Sequence, residues 1–238
     1  MRKFGVISAF NSSKNSFTVA FPDQPGVVAE LLEFPAEFLE RPEQLLGQQL
    51  AVILSVSDDK KIVASYLKAL KSPESLKNRV GQVVEGIVRI ILPRTKENLE
   101  RLGVEAVGVY QLLPREKARI WAGVSLAEQF RVNQKVKVKI MDDLSFSIRK
   151  AYVNEEENWE NFSYQVNDVV LVRVVGFKKM GENENVIYEF TEFPGVFGRA
   201  FKPHLGAENL KIGSTIKVRL SRIDKERKVI LGFVQEIL

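Results

Sequence analysis

Three times along its 238 residues the chain repeats one pattern: an apolar run, a turn containing Asp, and a second apolar run. The copies occupy residues 50–65, 136–149 and 216–231. Apolar side chains recurring at every second position, as in Val136-Lys-Val-Lys-Ile140 and Ile216-Lys-Val-Arg-Leu220, line one face of an extended strand but scatter around a helix. Each copy therefore reads as a hairpin, and the repetition makes the chain an array of similar small units.

The context of the hairpins repeats as well. Upstream of each is a short segment of helical character (36–46, 125–132, 204–212) followed by a stop residue, Gly47, Asn133 or Gly213. Before that lies a second hairpin, with turns read at 22–26, 114–117 and 192–195, and each unit opens with a Val/Ile-rich strand at 4–10, 83–92 or 169–177. Three strands, a short helix and two strands is the layout of a five-stranded Greek-key OB barrel. The expected fold is all-β: three tandem five-stranded OB-fold barrels with short connecting helices, bounded at 1–71, 76–153 and 163–238. A single large sandwich is the alternative. The linkers are read at 71–75 and at 154–161, the latter carrying four glutamates. Residues 93–103 are an insertion in the second unit, whose Thr95 to Gly103 segment reads as a short capped helix.

Composition excludes several classes of protein. At 45% apolar residues the chain buries real cores, and with no cysteine it has no disulfide, thiolate metal site or cysteine nucleophile. The absence of cysteine favours a reducing compartment, so a cytoplasmic location is expected. Met1-Arg-Lys3 before an apolar stretch imitates a signal peptide, but the stretch is minimal and no cleavage pattern follows; no run approaches membrane-spanning length. The lone His204 has no metal-ligand spacing, Asp58-Asp59 and Asp142-Asp143 read as turn residues, and no phosphate-loop, dinucleotide or nucleophile-elbow motif occurs. A non-enzymatic protein without cofactor or metal is expected.

The third unit resembles the S1 RNA-binding domain family, as found in ribosomal protein S1. Gly195-Val-Phe-Gly-Arg-Ala-Phe201 resembles the family's glycine-centred third strand, while residues 210–220 and 223–231 resemble its fourth and fifth strands. The second unit matches at 83–88 and 130–140, and the first by analogy. Where the family usually has histidine on the third strand, this chain has Leu32, Trp121 and Phe201. The resemblance implies single-stranded RNA, mRNA or rRNA, as ligand, and a role in translation or RNA metabolism.

Strand parity tests that implication, because RNA-binding surfaces place aromatic faces for bases and cations for phosphates on one side of the sheet. In the third unit Val196, Gly198 and Ala200 are expected inward and Arg199 and Phe201 outward; the equivalent pairs are Arg119 and Trp121 in the second unit, Glu30 and Leu32 in the first. Lys135, Lys137 and Lys139 line one face of the second unit's fourth strand, as Lys217 and Arg219 do in the third. Lys202 adjoins Phe201. Arg89 and Arg173 project outward by parity, and Phe177, Tyr188 and Tyr110 read as stackers or core. Residues 73–152 carry 15 Lys/Arg against 9 Asp/Glu, a net of +6, whereas residues 1–72 carry 8 of each. RNA is thus expected on units two and three, and a ribosomal or RNA-processing protein on unit one. An interaction scaffold, with all three barrels binding protein, is the rival; a membrane partner is not expected.

Overall fold

The computed structural model describes residues 2–180, 183–201 and 210–238. In the first barrel, β1 (Arg2–Asn11), β2 (Ser16–Ala20), β3 (Val28–Glu33), β4 (Gln49–Val56) and β5 (Ile62–Ser65) close in the order β1-β2-β3-β5-β4. The third barrel closes identically, with β11 (Val169–Met180), β12 (Asn183–Phe190), β13 (Phe197–Phe201), β14 (Thr215–Asp224) and β15 (Val229–Ile237) in the order β11-β12-β13-β15-β14. A parallel pairing, β3 with β5 and β13 with β15, seals each. This is OB topology.

The second barrel stops one seam short. Its strands β6 (Val83–Leu92), β7 (Arg101–Ala106), β8 (Val109–Pro114), β9 (Lys135–Ile140) and β10 (Phe146–Ser147) form a sheet in the order β10-β9-β6-β7-β8. A side chain spans the gap: the Gln111 amide on β8 donates to the Leu144 carbonyl and accepts from the Phe146 N–H, both at 2.8 Å.

One local device recurs in all three barrels. The stop residues Gly47, Asn133 and Gly213 all adopt positive φ, 78°, 65° and 94°, as residues ending a helical turn do. Their N–H groups donate to the carbonyls of Ile7, Val88 and Val174. At these three positions the first strand of each barrel bulges against its second. The extra residue increases local twist and bends the strand, which a small barrel needs in order to close.

Several sequence expectations need correction. The second unit's turn is not at 114–117 but at Val107-Gly108, where both residues have positive φ, 48° and 84°, as the two-residue hairpin turn requires. Its third strand is therefore β8, and Arg115–Ala118 forms a one-turn helix, α1. The expected helix at Thr95 does not form. Thr95 Oγ1 accepts from the Asn98 N–H like a cap, but the following residues pair with β6 as β7. The helical segment at 36–46 is two 3₁₀ turns, Ala36–Leu39 and Pro42–Leu45, and that at 125–132 is α2 (Leu126–Gln129), entered through a reciprocal Ser125–Glu128 capping box. Most of 204–212 lies outside the described residues. The supposed linker at 154–161 follows a one-turn helix, α3 (Arg149–Tyr152), and is itself folded as α4 (Glu155–Glu160). Asn154 caps α4 through the Glu157 N–H, its glutamates favour the positive N-terminal end, and Trp159 is buried in the core.

Contacts divide the chain into two compact units, Met1–Ala118 with Phe130–Ile148, and Arg119–Gln129 with Arg149–Leu238. In the first unit, barrels one and two share a core in which Ile90 and Leu92 of β6 join Phe17, Phe38, Leu45 and Tyr66. In the second unit, Trp159 and Phe162 pack with Val172, Tyr188, Phe190 and Val218 of the third barrel.

Candidate functional site

On β13 the alternation is as expected. Val196, Gly198 and Ala200 are buried, Arg199 is half-buried facing outward, and Phe201 stands outside at 56% exposure. The central glycine has a steric cause. A Cβ on Gly198 would lie 2.4 Å from the ring of Tyr188, which crosses beneath it inside the barrel. Tyr188 is therefore core, not a stacker, and burial pushes its hydroxyl well above the ordinary phenol range. Phe177 likewise turns inward, half-buried against the third core.

Registers extend the outward pattern into a row that crosses the whole barrel. Lys178 on β11 pairs with Asn185 on β12, Asn185 with Phe201 on β13, Phe201 with Phe233 on β15, and Phe233 with Arg219 on β14. Lys178, Phe201, Phe233 and Arg219 are exposed. Neighbouring strands lie roughly 4.8 Å apart, so two exposed rings stand on adjacent strands with cations toward either end of the row. Beside it Arg199 pairs with Leu231, and Asn185, Arg199, Phe201, Ser221, Leu231 and Phe233 line a groove of about 280 Å³. Phe233 escaped the sequence reading. The alternation of β15, with Ile230 and Gly232 buried, is the signal that finds it. Lys217 is spent in part on Glu236, with Nζ 2.5 Å from the carboxylate. Lys202 lies outside the described residues.

The second barrel departs from expectation. Arg89 does leave its own barrel, as parity predicts, but the first barrel covers it to 6% exposure. Its Nε and Nη2 donate to Glu105 Oε2 at 2.9 and 2.7 Å, and its Nη1 donates to the Gln49 carbonyl of β4 at 3.1 Å. The same Glu105 oxygen accepts from the Tyr66 hydroxyl at 2.7 Å, and burial foremost drives that phenol well above its ordinary range. Tyr110 packs edge-on against Phe38 with ring centres 5.6 Å apart; burial, then the charge of Glu37, raises its hydroxyl. The Gln44 amide bonds both N–H and carbonyl of Ile91, completing an edge of β6 that carries no neighbouring strand there. Arg89 and Tyr110 thus belong to a barrel-to-barrel contact and not to an open face.

Lys135 and Lys137 are exposed on β9 and Lys139 half-buried, with Lys135 paired to Glu85 at 3.0 Å. Arg119 and Trp121 lie on no strand. Their segment, Arg119–Gln129, packs with the third barrel: the Glu189 carboxylate accepts from the Ala122 and Gly195 N–H groups, both at 2.8 Å, and Arg149 donates to the Ile120 carbonyl. Burial raises the Glu189 carboxyl above its ordinary value, opposed by those two N–H donors and by Arg149 and Arg119. Gln129 ties the loop internally, accepting from Ile120 and Trp121 and donating to Val124. Trp121 and Arg173, both half-buried, line a shallow concavity with Glu128 and Thr191. In the first barrel, Leu32 stands exposed and Glu30 accepts from Ser16 Oγ. Among the described residues no cluster of three or more His, Cys, Asp or Glu is placed to hold a metal, and no helix is long and apolar enough to cross a membrane.

No protein-family model matches the chain, and no curated protein does. Among solved structures, one similar chain is a multidomain protein with nucleic acid binding domains from Streptococcus pneumoniae, 9% identical, aligned over 98% of this chain and 73% of that one with a TM-score of 0.26. At that score the fold rests on the strand topology described above.

Proposed function

We propose that the chain is a non-catalytic RNA-binding protein acting in translation or RNA metabolism, and that it holds single-stranded RNA on the outer face of the third barrel. The observation that carries this reading is the Phe201–Phe233 pair, both rings more than half exposed at 56% and 51%, with Arg219 and Arg199 beside them. Bases stack on such rings whatever their sequence, while the cations meet the backbone phosphates. Lys137 and Lys139 of the second barrel add positive charge, and their proposed part is phosphate attraction. Fluorescence anisotropy with labelled single-stranded RNA, comparing the wild-type chain with Phe201→Ala/Phe233→Ala, tests the site: the double variant binds at least tenfold more weakly, and equal binding by both refutes it. Incubating that RNA with protein and magnesium leaves it intact if no nuclease activity exists.

The first barrel supports a second role, protein contact. Phe4, Val28, Leu32 and Val56 are exposed on it, and its third strand carries Glu30 and Leu32 where the third barrel has Arg199 and Phe201. A ribosomal or RNA-processing protein is the proposed partner class, and a cytoplasmic setting accompanies the reading.

A further inference from the structure

Beside the aromatic pair sits a polar group with nothing to do. Asn185 faces away from the barrel core, since Val186 next to it is fully buried within, yet Asn185 itself is only 5% exposed. Among the described residues nothing hydrogen-bonds its side-chain amide, and it lines the 280 Å³ groove directly beside Phe201, its register partner. Neither its amide nitrogen nor its amide oxygen is sealed from solvent, so both are open to a ligand seated in the groove.

We infer that Asn185 is a specificity-determining residue that reads the edge of a base stacked on Phe201 and Phe233, and that the base is adenine. The inference rests on the RNA-binding reading above and deepens it. A carboxamide offers one acceptor and one donor side by side, and a bidentate pair with adenine N6 and N7 matches both. Two rings on adjacent strands give a platform broader than one phenyl group, which favours a two-ring purine over a pyrimidine. Single-stranded RNA exposes its bases' edges to such contacts as duplex RNA does not.

The test uses the full chain and oligouridine decamers carrying A, G, C or U at one central position. Wild type binds the adenine decamer about tenfold more tightly than all-uridine, within the range expected of a bidentate base contact. Asn185→Leu removes that preference, leaving oligouridine affinity within about twofold, as stacking alone is sequence-tolerant. Asn185→Asp, nearly isosteric, presents two acceptors and moves the preference to guanine, whose N1–H and N2–H₂ are adjacent donors; its thermal melt confirms folding even if the leucine variant is unstable. Wild type preferring another base, or Asn185 variants keeping the wild-type preference, overturns the inference. If in that case Phe201→Ala/Phe233→Ala still weakens binding, the RNA-binding reading survives without it; if wild type binds none of the decamers, both fall.

Discussion

The second and third barrels each send an arginine and an aromatic outward from their sheets, and the two sets meet opposite fates. Arg89 and Tyr110 run into the first barrel, where the Gln49 carbonyl accepts from Arg89 and Phe38 packs against Tyr110, while Glu105 of their own barrel pairs with Arg89. Arg199 and Phe201 lie with Phe233 on a groove that stays open. One chemistry serves in one place as a joint and in the other as a candidate ligand surface. The difference lies in the shape of what stands opposite, which alternation along a strand does not encode.

The largest expected effect comes from breaking the joint. Replacing Glu105 with Ala leaves the Arg89 guanidinium buried and unpaired, and removing one partner of a buried ion pair costs roughly 3–5 kcal/mol. Urea unfolding of Glu105→Ala, followed by probes in each compact unit, is expected to show the first two barrels losing that stability together while the third is unmoved. A loss confined to the second barrel would mean the joint does not couple it to the first.

Next in size is the open face. Phe201→Ala/Phe233→Ala removes two stacking platforms worth about 1–3 kcal/mol each in binding, yet should shift folding stability by no more than about 0.5 kcal/mol, as exposed positions do. The opposite pattern, lost stability with unchanged RNA affinity, would make these rings structural like Tyr110. Below that comes Arg219→Ala, expected to reduce the log–log salt slope of RNA binding by about 0.7, the value of one phosphate on a single strand. Lys135→Ala, whose ammonium is already shared with Glu85 on the surface, is expected to change stability by less than about 1 kcal/mol.

The smallest effect concerns pH. The folded-state carboxyl of Glu189 is raised by burial, so the folded protein binds that proton more tightly than the unfolded chain does. The cost of burying the charged form is therefore present in full above the raised value and is relieved as pH falls through it. In Glu189→Gln this contribution disappears, flattening the stability of the third barrel between neutral pH and the ordinary carboxylate range; an unchanged pH profile would show that Glu189 does not titrate in that window.

The repeat, the hairpins, the stop residues and the outward side of β13 were legible because each depends on local chemistry: period-two alternation, positive φ after a helical turn, Asp in a tight turn. Three features were not. Val107-Gly108 makes a two-residue turn without the Asn-Gly or Asp-Gly that usually announces one, so alternation alone puts the second barrel's third strand too late and draws Arg119 and Trp121 onto it. Glutamates at 155–157 look like a solvated linker, but they stabilise the start of a helix that buries Trp159. The burial of Arg89 and Tyr110 depends on a barrel some 40 residues or more away along the chain, and no periodicity within β6 or β8 carries that information. Within the site, parity along β13 and β15 suffices for Arg199, Phe201 and Phe233, whereas Asn185 and the side-by-side placement of the two rings emerge only from register across β12, β13 and β15.

The most direct test of the open face is photocrosslinking of single-stranded RNA to the intact chain, with the attached peptides mapped by mass spectrometry. Adducts on Phe201 and Phe233, with none on Tyr110, agree with one covered and one open surface. Adducts confined to the first barrel, or RNA that leaves β13 and β15 unmarked while binding tightly, would contradict it.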